Sequence, residues 1–270
     1  MKGARATPRL AFGPSVVPGA QPGQRVLPDE AAVALSFNGT TQAVMMATPA
    51  DLVDFGFGFA LTEGIAGPAD ILSVEAEAMP KGHDVQIWLT PEAGARLAAR
   101  RRVMAGPVGC GLCGIDSIDQ VLREVPVVPP SPFRMTPAEV MAAIAALPGQ
   151  QRLHDATRAV HCAGFWNGSL VLTREDVGRH NALDKLAGAM VRAGTRPEGA
   201  VLLTSRVSTD LVQKVAMLGA PMIIAVSAPT VAAVDLAERA GITLVALARP
   251  DRFEVFAHSD RLTSEENHVR

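Results

Sequence analysis

The sequence lacks the features on which several classes of protein depend. It has three cysteines in 270 residues, too few for a disulfide framework. An odd, low count that includes a C-x-x-C pair suits reactive or metal-bound thiols in a reducing cytosol. The net charge of −2 offers no general attraction for nucleic acid or an anionic membrane. The first 30 residues contain no apolar core of the kind that a signal peptide needs. We therefore expect a cytoplasmic protein that binds no nucleic acid.

Long apolar runs are interrupted as well. Residues 215–234 carry no charged side chain and have the length of a membrane span. Gly219, Pro221, Ser227 and Pro229 divide this run into a helix end, a short strand and a helix start. The composition, with 48% hydrophobic and 19% charged residues, is globular. We predict a sizeable core and no membrane insertion.

Turn and cap signals divide the chain into segments. Asn38-Gly39 predicts a β-hairpin, and Thr136-Pro137-Ala138-Glu139 predicts the capped start of a helix. Between them, closely spaced prolines predict a stiff linker. The predicted segments are a loosely ordered arm (1–30), an α+β subdomain that ends in a cysteine loop (31–125), a proline-rich linker (126–135), an α/β domain (136–262) and a flexible tail (263–270).

The C-terminal half alternates between two kinds of element. Residues 201–204, 222–226 and 244–247 read as buried strands at regular spacing, with helical segments between them. A hairpin that turns at Asn167-Gly168 precedes them. This alternation predicts an α/β fold with a mostly parallel sheet and helices packed on its faces.

The segment Gly109–Gly114 is the most informative one, because it contains Cys110 and Cys113 with glycines on either side of them. A thiolate is the reactive form of cysteine, and nearby cations or free backbone N–H groups lower its pKa. The run Arg100–Arg102 lies just upstream. A second cysteine at this spacing can resolve or relay a sulfur-bound intermediate. These features favour thiol chemistry without identifying a substrate.

Other interpretations of the loop have less support. Its glycines match G-x-G-x-x-G, but Pro107 precedes them and the proline-rich linker follows where an acidic residue is needed. A zinc deaminase needs Glu two positions after a His or Cys ligand, and no such Glu exists in the chain. A structural zinc site would need further ligands, for which His161-Cys162 is the only close pair. This last alternative stays open.

A second polar segment, Arg174–Lys185, leaves a predicted strand and enters a predicted helix. Gly178 would permit a tight turn, and Arg179 with His180 can hold a phosphate or a protein carboxylate near the helix N-terminus. The alternative is a solvated loop with local salt bridges, which we prefer for Glu175 and Asp184 taken alone. For the segment as a whole we favour a functional role.

Polar side chains also follow three predicted strands. Because ligands bind beyond the carboxyl ends of strands in open α/β sheets, these side chains predict one anion or nucleotide pocket. Helix caps alone could account for Ser208 and Thr230. The candidates at the strand ends are Ser205, Arg206, Ser227, Thr230, Arg249 and Arg252.

Together these segments resemble the FdhD family, the formate dehydrogenase accessory sulfur carriers. The resemblance extends over nearly everything beyond the N-terminal arm, from Ala43–Ala47 and the predicted helix Leu52–Ile65 onward. The matching strings are GCGLCG, EDVGRHNALDKLAG, SRVSTDLVQKVAMLGAP, VSAPT and GITLVALARPDRFEVF.

The resemblance implies a function and a set of site residues. Such proteins accept persulfide sulfur from a cysteine desulfurase and pass it to the molybdenum (or tungsten) bis(molybdopterin guanine dinucleotide) cofactor, before the cofactor enters apo formate dehydrogenase. Cys110 matches the persulfide carrier and Cys113 the assisting cysteine. The cofactor-binding stretch falls on Leu247, Ala248, Arg249, Pro250, Asp251 and Arg252, with GDP or GMP as a mimic of the bound nucleotide. Arg179 and His180 are weaker candidates for this site.

The resemblance also implies a cytoplasmic homodimer whose fold is related to cytidine deaminases without their zinc. Family members usually have Phe at position 247, often Gly at 251, and commonly alanine at 162, so Cys162 receives no role in sulfur transfer. We expect a sulfurtransferase-type carrier with a persulfide intermediate, not a conventional multiple-turnover enzyme. The alternatives are a cofactor-binding chaperone that carries no sulfur, or a protein with a structural C-x-x-C zinc site.

Overall fold

The computed structural model describes residues 3–12, 21–104 and 125–263, with only the backbone at 101–104. Cys110 and Cys113 lie outside the described residues, so the predictions for the cysteine loop stay predictions. Within the described ranges the fold is a mixed α/β fold built on three sheets, as the alternation of elements predicts. None of the helices in these ranges is long and apolar enough to cross a membrane.

The described part of the N-terminal arm is a two-stranded antiparallel ribbon, where we expected loose order. It consists of β1 (Ala4–Ala11) and β2 (Gln21–Pro28), paired from Ala4 opposite Pro28 to Ala11 opposite Gln21. Most of its side chains are exposed, so the sequence shows no alternation of buried and solvated residues. Backbone pairing defines this ribbon, and hydrophobic patterning cannot reveal it.

The next unit is a four-stranded sheet in the order β4-β3-β6-β5, in which only the β3–β6 pair is parallel. Asn38 and Gly39 both have positive φ, 48° and 76°, which confirms the predicted hairpin turn. Two helices cover one face and bury Phe55 and Phe59 against it. The strands are β3 (Ala31–Phe37), β4 (Thr40–Ala47), β5 (Ile71–Met79) and β6 (Gly82–Leu89), and the helices are α1 (Leu52–Thr62) and α2 (Pro91–Met104).

The C-terminal unit is a six-stranded sheet in the order β12-β11-β10-β9-β7-β8. Three central strands, β9, β10 and β11, are parallel, and β7 and β12 run antiparallel to their neighbours. The sheet is therefore mixed, with the parallel core that the sequence predicts. The strands are β7 (His161–Trp166), β8 (Leu170–Asp176), β9 (Ala200–Leu203), β10 (Met222–Ala225), β11 (Thr243–Arg249) and β12 (Arg252–Ala257).

Helices cover both faces of this sheet because its central strands are apolar on both sides. On β9, Val201 and Leu203 pack against one helical layer, whereas Ala200 and Leu202 pack against the other. The first layer is α5 (Arg179–Arg192), α6 (Thr209–Leu218) and α7 (Val231–Ala240); the second is α3 (Pro137–Ala146), followed by the short α4 (Arg152–Thr157).

The capping box at the start of α3 is confirmed. Thr136 Oγ1 accepts a hydrogen bond from Glu139 N at 3.2 Å, and Glu139 Oε2 accepts one from Thr136 N at 2.7 Å. Both orphan donors at this helix end are thereby satisfied. The helix ends at Ala146, just before Pro148, as the proline predicts.

The polar segments predicted to act together lie at one edge of the six-stranded sheet. Strands β8, β9, β10 and β11 all end at this edge, and β7 begins there, with His161 opposite Asp176. We call it the carboxyl edge. The segments after these strands are neighbours in space although they are far apart in sequence.

Candidate functional site

A cavity of about 430 Å³ opens at the carboxyl edge, between the strand ends and the chain that leads from α3 into α4. We call it the strand-edge cavity. Its volume lies in the range of small-molecule sites. Its walls are mostly apolar, with a few polar groups. The lining residues are Ile144, Ala145, Leu147, Pro148, Gln151, His154, Thr204, Val226, Ala248, Arg249 and Pro250.

Two polar members of this cavity, Gln151 and His154, come from the start of α4. His154 Nδ1 is 3.2 Å from the carbonyl oxygen of Val160, and because a carbonyl only accepts, Nδ1 carries the proton. The N-terminus of α4 is capped by a side chain from β8. The carboxylate of Glu175 accepts hydrogen bonds from Leu153 N and His154 N, each at 2.8 Å. Glu175 is therefore a structural residue.

Thr204 extends the pairing between β9 and β7 beyond the end of β9. Its Oγ1 accepts a hydrogen bond from Cys162 N at 2.9 Å, and its own N donates to Cys162 O at 3.1 Å. The thiol of Cys162 faces the α3 layer and is 2% exposed. Burial, together with the charge of Glu175, raises the pKa of this thiol to about 12. Cys162 is a neutral core side chain at physiological pH.

A smaller cavity of about 170 Å³ lies beside the first, lined by Leu247, Arg249, Arg252, Phe253 and Glu254. Arg249 borders both cavities. Leu247 has a φ of 51°, a left-handed conformation that is uncommon for a residue with a side chain and often marks functional sites.

The predicted cofactor-binding stretch is thus divided between the two cavities. Leu247 and Arg252 line the smaller one, while Ala248 and Pro250 line the strand-edge cavity. Asp251 is exposed in the turn between β11 and β12 and lines neither.

Arg249 fixes the end of β11 to the end of β10. Its guanidinium donates to Val226 O at 2.5 Å and to Ala248 O at 2.8 Å, yet the residue remains exposed. Since a guanidinium has five N–H donors, it retains donors for an anion in either cavity. Arg252 is exposed as well.

A cationic group borders this edge on the α5 side. Burial lowers the pKa of His161, and the charge of Arg179 lowers it further. The Nε atom of Arg179 is buried without a hydrogen-bond partner among the described residues. His180 contacts the carboxylate of Asp210, so it holds a protein carboxylate, one of the two roles predicted for it. The hydrogen bond from His180 lowers the pKa of Asp210 strongly.

The remaining strand-end candidates have local partners and line neither cavity. Ser205 is buried and donates to the carbonyl of Arg206, whose side chain is exposed. The carbonyl of Ser227 accepts from Leu247 N at 3.4 Å. Thr230 caps α7 by accepting from Ala233 N at 3.3 Å, which is the helix-cap alternative.

Half of the residues in the segment Arg174–Lys185 are buried, and none is fully exposed. Asp176 and Lys185 are completely buried, with their charged atoms 2.5 Å apart. Lys185 also donates to Thr48 O at 2.8 Å, and Asp176 accepts from Thr48 N at 3.0 Å and from Asn181 at 3.0 Å. These contacts tie the start of α5 to the four-stranded unit.

A second buried group lies further along the same interface. Asp184 accepts from Lys214 at 2.9 Å and from Thr62 at 2.6 Å, and Lys214 also reaches Glu63 at 2.6 Å. Burial raises the pKa of Asp184 despite the adjacent ammonium. Burial alone would lower the pKa of Lys214, but the two carboxylates outweigh it and hold that pKa above its ordinary value.

A third group completes the interface. The carboxylate of Asp54 on α1 is 3% exposed and accepts from Arg174 Nε at 2.8 Å and from Arg192 at 2.5 Å. We call the three groups, centred on Asp176, Asp184 and Asp54, the ionic seam. The solvated-loop alternative for this segment is therefore wrong, because its acidic residues and Lys185 have buried, long-range partners.

Glycines let the two units approach closely at the seam. A Cβ on Gly58 would lie 1.6 Å from Asp184 O, and one on Gly188 would lie 1.8 Å from Asp54 O. Gly178 makes room within its own segment: its φ is −99°, and an added Cβ would lie 2.8 Å from the Asn181 amide. The chain does turn at Gly178, between β8 and α5, but with a φ that does not itself require glycine.

No group of three potential metal ligands occurs within residues 3–12, 21–104 and 125–263. Neither Gln151 nor His154 was among the residues that the sequence predicts for the site. Both belong to a short helix after Pro148-Gly149 that has no strong periodicity, and their spacing of three residues is the only signal that places them on one side of it.

A profile described as the FdhD/NarQ family matches residues 28–263. The chain is 52% identical over 244 residues to the sulfur carrier protein FdhD of Agrobacterium fabrum, which covers 89% of this chain and 90% of the relative. It is 50% identical to the protein of that name from Brucella abortus, over 90% of this chain and 92% of the relative.

One solved structure is similar across almost the whole chain. It is a crystal structure of a protein from Desulfotalea psychrophila that is provisionally described as a formate dehydrogenase accessory protein. The TM-score is 0.76 at 25% sequence identity, covering 97% of this chain and 100% of that one.

Proposed function

This chain belongs to the FdhD/NarQ family, and on that premise we propose that it is a sulfur carrier that serves a formate dehydrogenase. The observation that carries the proposal is the 52% identity, over 89% of the chain, to a relative named sulfur carrier protein FdhD. The two neighbouring cavities at the carboxyl edge, with exposed arginines between and beside them, supply a place for an anionic substrate.

The carrier is Cys110 in this proposal. Its thiolate attacks the terminal sulfur of a persulfide on a cysteine desulfurase, which leaves with its own thiolate while Cys110 becomes a persulfide. A terminal sulfur needs two electrons to become a sulfide ligand. Attack of Cys113 on the inner sulfur of Cys110 provides them, because the two cysteines become a disulfide and the outer sulfur departs as hydrosulfide. Cys113 is thus the assisting residue.

The acceptor is the molybdenum or tungsten bis(molybdopterin guanine dinucleotide) cofactor, bound as a substrate before it enters apo formate dehydrogenase. Arg249 and Arg252 make charge-assisted contacts with its phosphates. The strand-edge cavity, with its apolar walls and about 430 Å³ of space, takes a planar ring of the nucleotide part. The other partners in this proposal are a second copy of the chain, in a cytoplasmic homodimer, and the desulfurase.

Sulfur loading tests the proposal directly. The purified protein is incubated with a cysteine desulfurase and cysteine, and intact mass is measured before and after a reductant. The wild type should gain a reducible adduct of one sulfur atom, and Cys110→Ala should gain none. Cys162→Ala is the matched control, since that thiol is buried with a raised pKa and alanine fits the site. It should load like the wild type.

Four outcomes would contradict the proposal. The wild type could gain no sulfur, or Cys110→Ala could gain as much as the wild type. Full restoration of formate dehydrogenase activity by Cys110→Ala would indicate a chaperone that binds the cofactor without carrying sulfur. One equivalent of zinc per chain in metal analysis, lost in Cys110→Ala, would indicate a structural metal site instead.

A further inference from the structure

Gln151 is a buried polar residue that the fold itself does not use. It is 7% exposed and lines the strand-edge cavity. It stands at the N-cap position of α4 but makes no capping hydrogen bond with its side chain. Glu175 satisfies the N–H groups of Leu153 and His154 in its place.

The amide of Gln151 has no hydrogen-bond partner among residues 3–12, 21–104 and 125–263. Its backbone, in contrast, is satisfied: the N–H donates to Pro148 O at 3.2 Å and the carbonyl accepts from Asp155 N at 2.9 Å. The amide lines an open cavity, so its hydrogen bonds are left to whatever fills that space. An amide without a protein partner at a cavity wall is typical of a side chain that hydrogen-bonds to a bound ligand.

The chemistry of a carboxamide defines what complements it. The group presents an acceptor oxygen beside a donor NH₂ in one plane. The matching partner is an N–H next to a carbonyl in one plane, which is the lactam edge of a heterocycle such as guanine or a pterin. A phosphate or carboxylate has no donor and would leave the amide oxygen unpaired.

The other cavity residues favour the same class of ligand. In neutral His154 the second ring nitrogen is an acceptor, because Nδ1–H is committed to Val160 O. It can take a further N–H of the ring. The apolar side chains of Ile144, Leu147 and Val226 suit the faces of a flat ring system. Arg249 places a cation between this cavity and the smaller one, where a phosphate attached to the ring would lie.

We propose that Gln151 is the specificity-determining residue of the strand-edge cavity and pairs with the lactam edge of a planar heterocycle. This inference rests on the proposed function, in which a substrate containing guanine and pterin rings binds at the carboxyl edge. It goes beyond that function by naming the residue that selects the ring and the edge of the ring that is read. His154 supports the same edge as an acceptor.

The test measures ligand binding by isothermal titration calorimetry, with GMP and neopterin as separate probes. The one that binds the wild type identifies the source of the lactam edge. Gln151→Leu should weaken its binding roughly tenfold to hundredfold, because two buried hydrogen bonds are lost. Gln150→Leu is the matched control, since Gln150 is the exposed neighbour that does not line the cavity. It should bind like the wild type.

The pH dependence of binding to Gln151→Glu provides a second test, because a residue with a purely structural role would not change that dependence. A protonated carboxyl group offers one donor and one acceptor, as the amide does, whereas the carboxylate only accepts: it cannot donate to the ring carbonyl and can pair only with ring N–H and amino groups. The affinity of this variant, divided by that of the wild type at the same pH, should therefore change as the carboxyl group titrates. For Gln151→Leu the same ratio should stay flat.

The inference is overturned if neither probe binds the wild type, or if Gln151→Leu binds as tightly as the wild type. Thermal unfolding of each variant checks that a loss of binding is not a loss of fold. Sulfur loading of Cys110 on the same preparations separates this inference from the proposed function. Normal loading without Gln151-dependent binding contradicts only the inference, and Gln151-dependent binding without loading contradicts only the sulfur-carrier proposal.

Discussion

Two regions of this molecule contain buried polar side chains, and they differ in how those side chains are partnered. In the ionic seam, each central carboxylate has an ammonium or guanidinium within 3 Å and further hydrogen bonds. In the strand-edge cavity, the amide of Gln151 has no partner among the described residues, and the exposed guanidinium of Arg249 retains free donors.

The difference distinguishes polar side chains that stabilise the fold from polar side chains that are available to a ligand. Burying a charge is costly unless it is paired and hydrogen-bonded, so the seam is tolerable only because its groups satisfy one another. The cavity carries unsatisfied groups that a ligand could complete. The same string of the sequence, Arg174–Lys185, serves both regions, because Glu175 caps α4 beside the cavity whereas Asp176 and Asp184 belong to the seam.

Removal of one partner from the seam should have the largest effect. Lys214→Met leaves the carboxylate of Asp184 buried without its ammonium, and breaking such a pair costs about 3–5 kcal/mol. Urea unfolding followed by circular dichroism gives the free energy of unfolding. Arg5→Met is the control, since the pair of Arg5 with Asp29 is exposed and should contribute less than about 1 kcal/mol. Equal losses in the two variants would contradict the importance of the seam.

The close approach of α1 and α5 should come next. Gly58→Ala places a methyl group 1.6 Å from Asp184 O, and the helices must separate to accommodate it, at a cost of about 2–3 kcal/mol. Gly149→Ala is the matched control: it has nothing within 4 Å, and its stability should stay within about 1 kcal/mol of the wild type. The same unfolding experiment measures both. If Gly58→Ala is as stable as Gly149→Ala, the crossing is looser than described.

A change at the cavities should affect binding more than stability. Arg249→Ala removes a charge between the two cavities and should weaken GMP binding roughly tenfold, with a reduced dependence on salt. Calorimetric titrations at two salt concentrations measure this effect. Arg239→Ala, an exposed arginine on the last turn of α7, is the control. A similar loss in the control would point to general electrostatics instead of a site.

The smallest effect should come from His161, through pH. In the unfolded chain its pKa is about 6.5, and burial lowers it in the folded protein. As the pH falls below this value, the unfolded state takes up a proton that the folded state resists, so its contribution to stability, complete above about pH 6.5, is lost.

Comparison with His161→Gln isolates this contribution. Between pH 7.5 and 5.5 the wild type should lose roughly half a kcal/mol more stability than the variant, a small figure because the side chain is only half-buried. Urea unfolding at the two pH values measures it. A larger loss in the variant would reverse the sign and contradict the burial of a neutral imidazole.

Local signals in the sequence predicted the elements whose cause is local. The Asn38-Gly39 turn and the Thr136/Glu139 capping box depend on a few adjacent residues, and both are confirmed. The apolar runs of β9, β10 and β11 predicted a parallel core, and with it the meeting of polar segments at the carboxyl edge. By contrast β5, whose sequence is rich in alanine and glutamate, resembles a helix in composition and was missed.

The seam could not be predicted for a related reason. Asp184 and Lys185 lie in a polar segment that resembles a solvated helix start, and the neighbouring residues give no signal that these two side chains are buried. Their partners, Thr62, Lys214 and Thr48, are between 30 and 137 positions away in the chain. Only the tertiary packing of α1 with α5 and α6 brings these groups together. Gln151 was missed in the same way, since its significance depends on a cavity formed by distant strand ends.

The crossing at Gly58 and Gly188 has a consequence for the way the molecule melts. Two units with separate sheets would ordinarily be expected to unfold in two steps. Here the separation of α1 from α5 would open the crossing at both glycines and expose Asp54, Asp184 and Lys185 together. Neither unit could keep its side of the seam buried without the other. The described units should therefore melt as one cooperative block, with the calorimetric enthalpy matching the van't Hoff enthalpy.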